Sequence, residues 1–230
     1  MAIDNILKRE YSKSKLRARA LYRQKGEVSL LKNTIISISR QYGSGGKELS
    51  DILAEKMKVR CYDRQILYLA AQEIGAESVD IDSVNKLAYD RGNIGLGGIT
   101  GVMGMGNIPV YNQMFLEQAR IIQKLAMQGS CVFLGRCSDY VLKEYENHYS
   151  FFIYADREFK EKRAKELYGS ATVEELEKED KNRAEYYQYY TGLKRGDCNN
   201  YDMMLNTSRI SLEDAAELIL AYVEKRQKDD

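Results

Sequence analysis

One histidine, one proline and four scattered cysteines are all that the chain has of three structurally telling residue types. Cys61, Cys131, Cys137 and Cys198 form no C-x-x-C pair, and with His148 alone beside them no zinc site of ordinary spacing can be assembled. They read as buried or half-buried thiols of a reducing compartment. His148 closes the polar run Glu144 to His148 and reads as a loop residue rather than a catalytic base. No apolar run approaches the roughly 20 residues that span a bilayer, and no secretory core is visible at the N-terminus. The expected location is therefore the cytosol, and the sequon Asn206-Thr207-Ser208 is discounted. Net charge is nearly absent too, at +1, which argues against a general binder of nucleic acid or membrane surfaces.

What is present suits one good-sized domain of 230 residues, 44% hydrophobic and 30% charged. Residues 1–32 stand apart, with nine Lys/Arg against three Asp/Glu. They read as a basic N-terminal extension, with a partner-binding arm as the alternative. The domain is expected over 33–230.

The organising stretch runs from Thr34 to Ser50. Thr34 to Ser39 is a β-branched, apolar run expected to form a strand buried on both faces. Gly43, Gly45 and Gly46 then turn the chain into a helical stretch, Glu48 to Met57. A strand, a glycine turn and a helix in that order present backbone N–H groups at a helix N-terminus, where anions and phosphate above all bind. Lys47 on the turn and Arg40 before it add cations. A glycine turn of an α/β fold with no ligand is the plainer alternative.

Further along, Leu49, Ile52, Leu53 and Met57 recur at helical spacing. Val59 to Tyr62 reads as a second strand, and Asp63 as the N-cap of a helix carrying Ile66, Leu67, Leu69 and Ala70. Ser78 to Tyr89 is weakly helical. The seven glycines of residues 91–106 exclude helix and strand and suit either a flap or a connector. Pro109 opens a helix from Val110 to Met127 with Phe115, Ala119, Ile122, Leu125 and Ala126 on one face. Strands are expected at Cys131–Leu134, Ser150–Tyr154 and Met203–Asn206. Asp156 is placed to cap a helix reaching Leu167. Thr172 and Glu175 form a capping box for the helix Val173 to Tyr190. Ser211 caps a last helix with Ala215, Leu218, Ile219, Tyr222 and Val223 on one face. Strands alternating with helices imply a parallel, three-layer α/β domain, and ligands then gather at the carboxyl ends of the strands, where Gly135-Arg136-Cys-Ser-Asp139 lies.

The glycine turn departs from the phosphate-loop template G-x-x-x-x-G-K-[ST]. With Gly46-Lys47 as its terminal pair, Gln41 replaces the first glycine and Glu48 the hydroxyl. The wider pattern is more specific. Ile38 to Lys47, Cys61-Tyr-Asp-Arg64, Leu134 to Tyr140, Asp180 to Gly192 and Asn200 to Ser208 together resemble the cytidylate kinase-like family of P-loop proteins, in unbroken order from residue 33 to about 225. That resemblance implies a P-loop kinase fold with a parallel five-stranded sheet and a helical lid at about 157–195. It implies transfer of a phosphoryl group from ATP to a small acceptor, a nucleoside monophosphate such as CMP. The alternative is a nucleotide-binding regulatory or sensor module.

By the same resemblance Arg40, Gly43, Ser44, Gly45, Gly46 and Lys47 hold the ATP phosphates. Asp63, Arg64, Arg136 and Asp139 hold the acceptor. Lys181 and Arg183 close from the lid, with Arg163 either joining them or remaining a solvated charge. Lys47, Arg136 and Arg183 carry the catalysis. The family's carboxylate before the Gly-Arg pair is Leu134 here, so Mg²⁺ is expected to be held through waters and the ATP phosphates, with Glu48 in a position to assist. The tyrosines 186, 187, 189 and 190 read as packing, with one ring available to stack on a base. The partners implied are ATP and a phosphate acceptor, without membrane or nucleic acid, and an oligomer is compatible with the pattern.

Overall fold

The computed structural model describes residues 34–75, 110–168 and 172–229. The basic extension 1–32, the weak helix 78–89 and the glycine-rich segment 91–106 lie outside these described residues. Five strands form one parallel sheet: β1 (Ile35–Arg40), β2 (Arg60–Tyr62), β3 (Cys131–Leu134), β4 (His148–Tyr154) and β5 (Met203–Asn206), in the order β2-β3-β1-β4-β5. The helices, in chain order, are α1 (Gly46–Met57), α2 (Gln65–Glu73), α3 (Val110–Ala126), the single turn α4 (Ser138–Val141), α5 (Arg157–Tyr168), α6 (Val173–Thr191) and α7 (Leu212–Asp229).

Alternation along the strands explains why the sheet needs cover on both sides. Ile36 and Ile38, with Val132, Leu134, Phe151 and Ile153, pack against Leu49 and Leu53 of α1 and Ala215, Ala216 and Ile219 of α7. Ile35, Cys131 and Phe133 turn to the other face, where α2, α3 and α6 bring Ile66, Leu67, Phe115, Ile122, Tyr186 and Tyr190. Phe115 and Tyr190 stack with ring centroids 4.0 Å apart. The result is the three-layer α/β sandwich that the alternating pattern called for, with β1 at its centre.

Several expectations need correction. Asp63 is not the cap of α2: Arg64 occupies that position without a side-chain cap bond, and Asp63 instead donates its N–H to Gln65 Oε1 at 3.0 Å. The Asp156 carboxylate is held from across the chain, by Asn206 Nδ2 at 2.9 Å and Arg209 at 3.0 Å. Leu69 and Leu218, counted among the apolar positions of their helices, are 39% and 47% exposed, while Ala71 and Ala216 are buried. The capping box at Thr172 is present in both halves, and Asp214 N–H donates to Ser211 Oγ.

His148 is not a loop residue but the first residue of β4, with Nε2 2.8 Å from Ser37 Oγ. Burial lowers its pKa to about 4, opposed by the Asp202 charge. An unfolded histidine titrates near 6.5, so protonation favours the unfolded chain. The stability tied to neutral His148 is complete above about pH 6.5 and is lost as pH falls towards 4. The urea midpoint of the wild-type protein is expected to fall between pH 7 and pH 5, and that of His148→Gln to fall less. Parallel declines for the two proteins would count against this histidine as the source.

Candidate functional site

The site gathers at the carboxyl ends of β1, β3 and β4. After Arg40 the chain is pinned to β4 on both sides: Gln41 N–H donates to Ile153 O at 2.8 Å, and Ala155 N–H to Gln41 Oε1 at 3.3 Å. Gly43 and Gly45 adopt φ of 75° and 79°, a left-handed conformation that favours glycine. Space argues the same way at Gly45, where a Cβ would stand 3.0 Å from Leu212 Cδ2 and 3.6 Å from Arg163 Cζ. Thr207, just past β5, fixes the loop from beneath by donating its hydroxyl to Ser44 O at 2.7 Å.

Gly45 is the N-cap of α1, and the first intrahelical bond runs from Leu49 N–H to Gly45 O. The N–H groups of Gly46, Lys47 and Glu48 precede that bond, so they face out of the helix N-terminus with the positive end of its dipole. Strand, glycine loop and helix follow one another in the order expected from the sequence.

The cations around it sort into two groups. Arg163 reaches the loop from α5, placing its guanidinium beside Gly45 and pairing with Glu48 Oε1 at 2.7 Å. Arg183 of α6 lies over the ring of Tyr42, with Cζ 4.9 Å from the centroid. Arg40 runs along the surface of the loop: a Cβ on Gly46 would stand 2.5 Å from Arg40 Cβ and 2.8 Å from its Cγ, and one on Gly135 would overlap Arg40 Nη1. Lys47, in contrast, turns along α1 to Asp51 Oδ2 at 2.7 Å, with its side chain 54% exposed. That hydrogen bond raises its pKa, aided by the Asp51 and Asp63 charges and opposed by desolvation. Lys181 lies on the exposed face of α6, 3.9 Å from Glu185.

At its carboxyl end β3 runs into three successive residues with positive φ: Gly135 at 71°, Arg136 at 60° and Cys137 at 54°. Only the first is a glycine. Left-handed backbone at Arg136 and Cys137 is the kind of strain that is retained where a turn has work to do. Asp139 follows on α4 and is 5% exposed. Tyr187 of α6 donates its hydroxyl to Asp139 Oδ2 at 2.7 Å, and Oδ1 is buried without a protein partner. Burial pushes the Asp139 carboxyl above its ordinary range, while the Tyr187 hydrogen bond and the Arg195 charge draw it back. Asp63 and the exposed Arg64 stand at the end of the edge strand β2, next to β3.

Two contributors were not singled out in the sequence. Arg195, 9% exposed, donates to the carbonyl of Arg40 through Nη2 and holds Nη1 3.7 Å from Asp180 Oδ1, with Phe152 beneath its guanidinium at 5.5 Å. Asp180 Oδ1 in turn accepts the N–H of Tyr42 at 2.8 Å. Together they tie α6 and the segment after it to the glycine loop. The one local signal was Gly196 after the arginine: its φ is 77°, and a Cβ there would stand 3.1 Å from Phe152.

A parallel sheet in this strand order, with a glycine loop leading from its central strand into a helix N-terminus, defines a P-loop kinase fold. Residues 35–209 match the cytidylate kinase-like family, and the chain belongs to that family. The coarse chemistry that goes with it is phosphoryl transfer. An uncharacterized protein from Eubacterium ventriosum is similar with a TM-score of 0.61 and 25% identity, over 83% of this chain and 98% of that one. Shikimate kinase from Bacteroides thetaiotaomicron is similar at a TM-score of 0.49 and 11% identity, over 84% and 99%. The APS kinase CysC of Mycobacterium tuberculosis is similar at 0.44 and 14%, over 84% and 98%. No curated protein matches the chain. No helix among the described residues is long and apolar enough to cross a membrane.

Proposed function

We propose that the chain is an ATP-dependent kinase of nucleoside monophosphates, with CMP the first acceptor to try. The observation that carries this reading is the placement of the glycine loop and the Gly135-Arg136 turn at the ends of the adjacent strands β1 and β3, with Arg40 lying between them. An acceptor phosphate oxygen would attack the γ-phosphorus as the bond to the β-γ bridging oxygen breaks, leaving ADP and a nucleoside diphosphate. Such transfer asks for in-line positioning and positive charge around the moving phosphoryl group rather than covalent help.

The N–H groups at the start of α1 receive the ATP phosphates. Arg163 and Arg183 add charge from α5 and α6, the region we assign to the lid at about 157–195, whose closure excludes water as a competing acceptor. Arg136 grips the acceptor phosphate through its two-pronged guanidinium. Asp139 is the carboxylate we assign to the acceptor's polar groups. Glu48, in the first turn of α1, is paired with Arg163, and no group of three or more potential metal ligands gathers among the described residues. On this reading Mg²⁺ would arrive with ATP, held mainly by its phosphates and water, as suits an ion that takes only one or two protein carboxylates.

A coupled assay of ADP release over a panel of nucleoside monophosphates tests the reading. Turnover with at least one of them is the expected result. ATP binding with no turnover of any acceptor would favour a nucleotide-binding regulatory module, the reading to which the Glu48–Arg163 and Lys47–Asp51 pairs lend support.

A further inference from the structure

We propose that Arg40, rather than Lys47, is the cation of the phosphate loop, and that its guanidinium serves both donor and acceptor phosphates. The inference rests on the kinase reading and deepens it. In the G-x-x-x-x-G-K-[ST] template a lysine at the helix start supplies the charge. Here β1 ends at Arg40 and the N-cap is Gly45, so the six residues from Arg40 to Gly45 span the loop. That register puts Arg40 at the first glycine, Gly46 at the lysine and Lys47 at the hydroxyl. Glycine and cation have changed places.

The side-chain paths agree with the exchange. The Arg40 stem occupies the space that a Cβ of Gly46 would take, and Nη1 occupies that of a Cβ at Gly135. Both glycines leave room for one arginine, which begins at the ATP loop and ends at the turn carrying Arg136. The Arg40 backbone is held by the bond from Arg195. Lys47 meanwhile points along α1 to Asp51. A guanidinium suits a shared position because its planar fork can offer hydrogen bonds to two phosphates at once, which a single ammonium does with less geometric control.

The test uses full-length protein with Arg40→Ala, Arg40→Lys and Lys47→Ala, each checked for wild-type thermal unfolding. ATP binding is measured by calorimetry without acceptor, CMP binding without ATP, and turnover with the best monophosphate. Arg40→Ala is expected to weaken both ATP and CMP about tenfold or more and to lower kcat by about a hundredfold to a thousandfold, well beyond the losses from Lys47→Ala. Arg40→Lys keeps the stem over Gly46 and guards against a folding failure. It should recover ATP affinity in part but not CMP affinity, since an ammonium lacks the second prong. Larger losses from Lys47→Ala than from Arg40→Ala, or unchanged CMP binding in Arg40→Ala, would overturn the proposal. Should no monophosphate turn over, the ATP-binding comparison still decides between the two cations, so failure of the kinase reading and failure of this inference are separate results. Wild-type protein that binds no ATP would overturn both.

Discussion

Arg136→Ala is expected to lower kcat/KM for the nucleoside monophosphate by about a hundredfold or more while leaving ATP affinity within a few-fold. On the proposed role of Arg136 a charge-assisted contact to the acceptor phosphate is lost, and removing one such stabilising donor from a transition state typically costs on the order of 10²–10³ in rate. Arg136→Gly should lose acceptor use equally, yet be the more stable of the two variants. Residue 136 sits at φ 60°, and left-handed backbone costs a residue with a Cβ roughly 1–2 kcal/mol. Steady-state kinetics together with urea unfolding of both variants separates the side chain from the backbone. Equal loss of ATP and acceptor affinity would put Arg136 on the wrong wall of the site. Equal stability of the two variants would mean that the turn stores no strain.

Asp180→Ala should have the largest effect on stability. It leaves Arg195 without its carboxylate partner and Tyr42 N–H without its acceptor, in a region where both side chains are largely buried. Breaking a buried pair from one side costs about 3–5 kcal/mol. The 3.7 Å separation and the partial exposure of Asp180 argue for the lower end, about 3 kcal/mol. ATP affinity should fall as well, since Tyr42 belongs to the loop. Arg195→Ala removes the hydrogen bond to the Arg40 carbonyl and should act in the same direction. The double variant should be more stable than the sum of the two losses implies, by about 1 kcal/mol. Strict additivity in urea unfolding would show that the two residues do not act as a pair.

The strands were legible because each is a short β-branched or apolar run between glycine or polar punctuation, and Thr34 to Ser39 needed only a shift of one residue to Ile35–Arg40. The glycine loop and the Gly-Arg turn were legible for the same reason: a left-handed turn and a cation leave marks in the local sequence. Pairings across the chain left none. Glu48 and Arg163 are 115 residues apart, and Tyr42 and Asp180 are 138 apart. Only the fold brings them together. Asp63 misled because a cap depends on where the helix begins, and α2 starts beyond Arg64. His148 misled because its polar neighbours describe the loop before it, while its own side chain turns inward to Ser37. Of the three left-handed residues after β3, the sequence marked only Gly135.

Helix α6 joins the two halves of the site at fixed spacing. Asp180 meets the glycine loop at Tyr42, and Tyr187 meets the turn after β3 at Asp139. Seven residues make nearly two whole turns, so both side chains leave the same face of the helix about 10 Å apart. The helix is thus a ruler between the glycine loop and the turn after β3. Its length between these two residues is constrained in a way that its exposed face, with Lys181 and Glu185, is not. One inserted residue would swing Tyr187 round by about 100° and lengthen the gauge by about 1.5 Å, uncoupling loop from turn while leaving the residues within each intact.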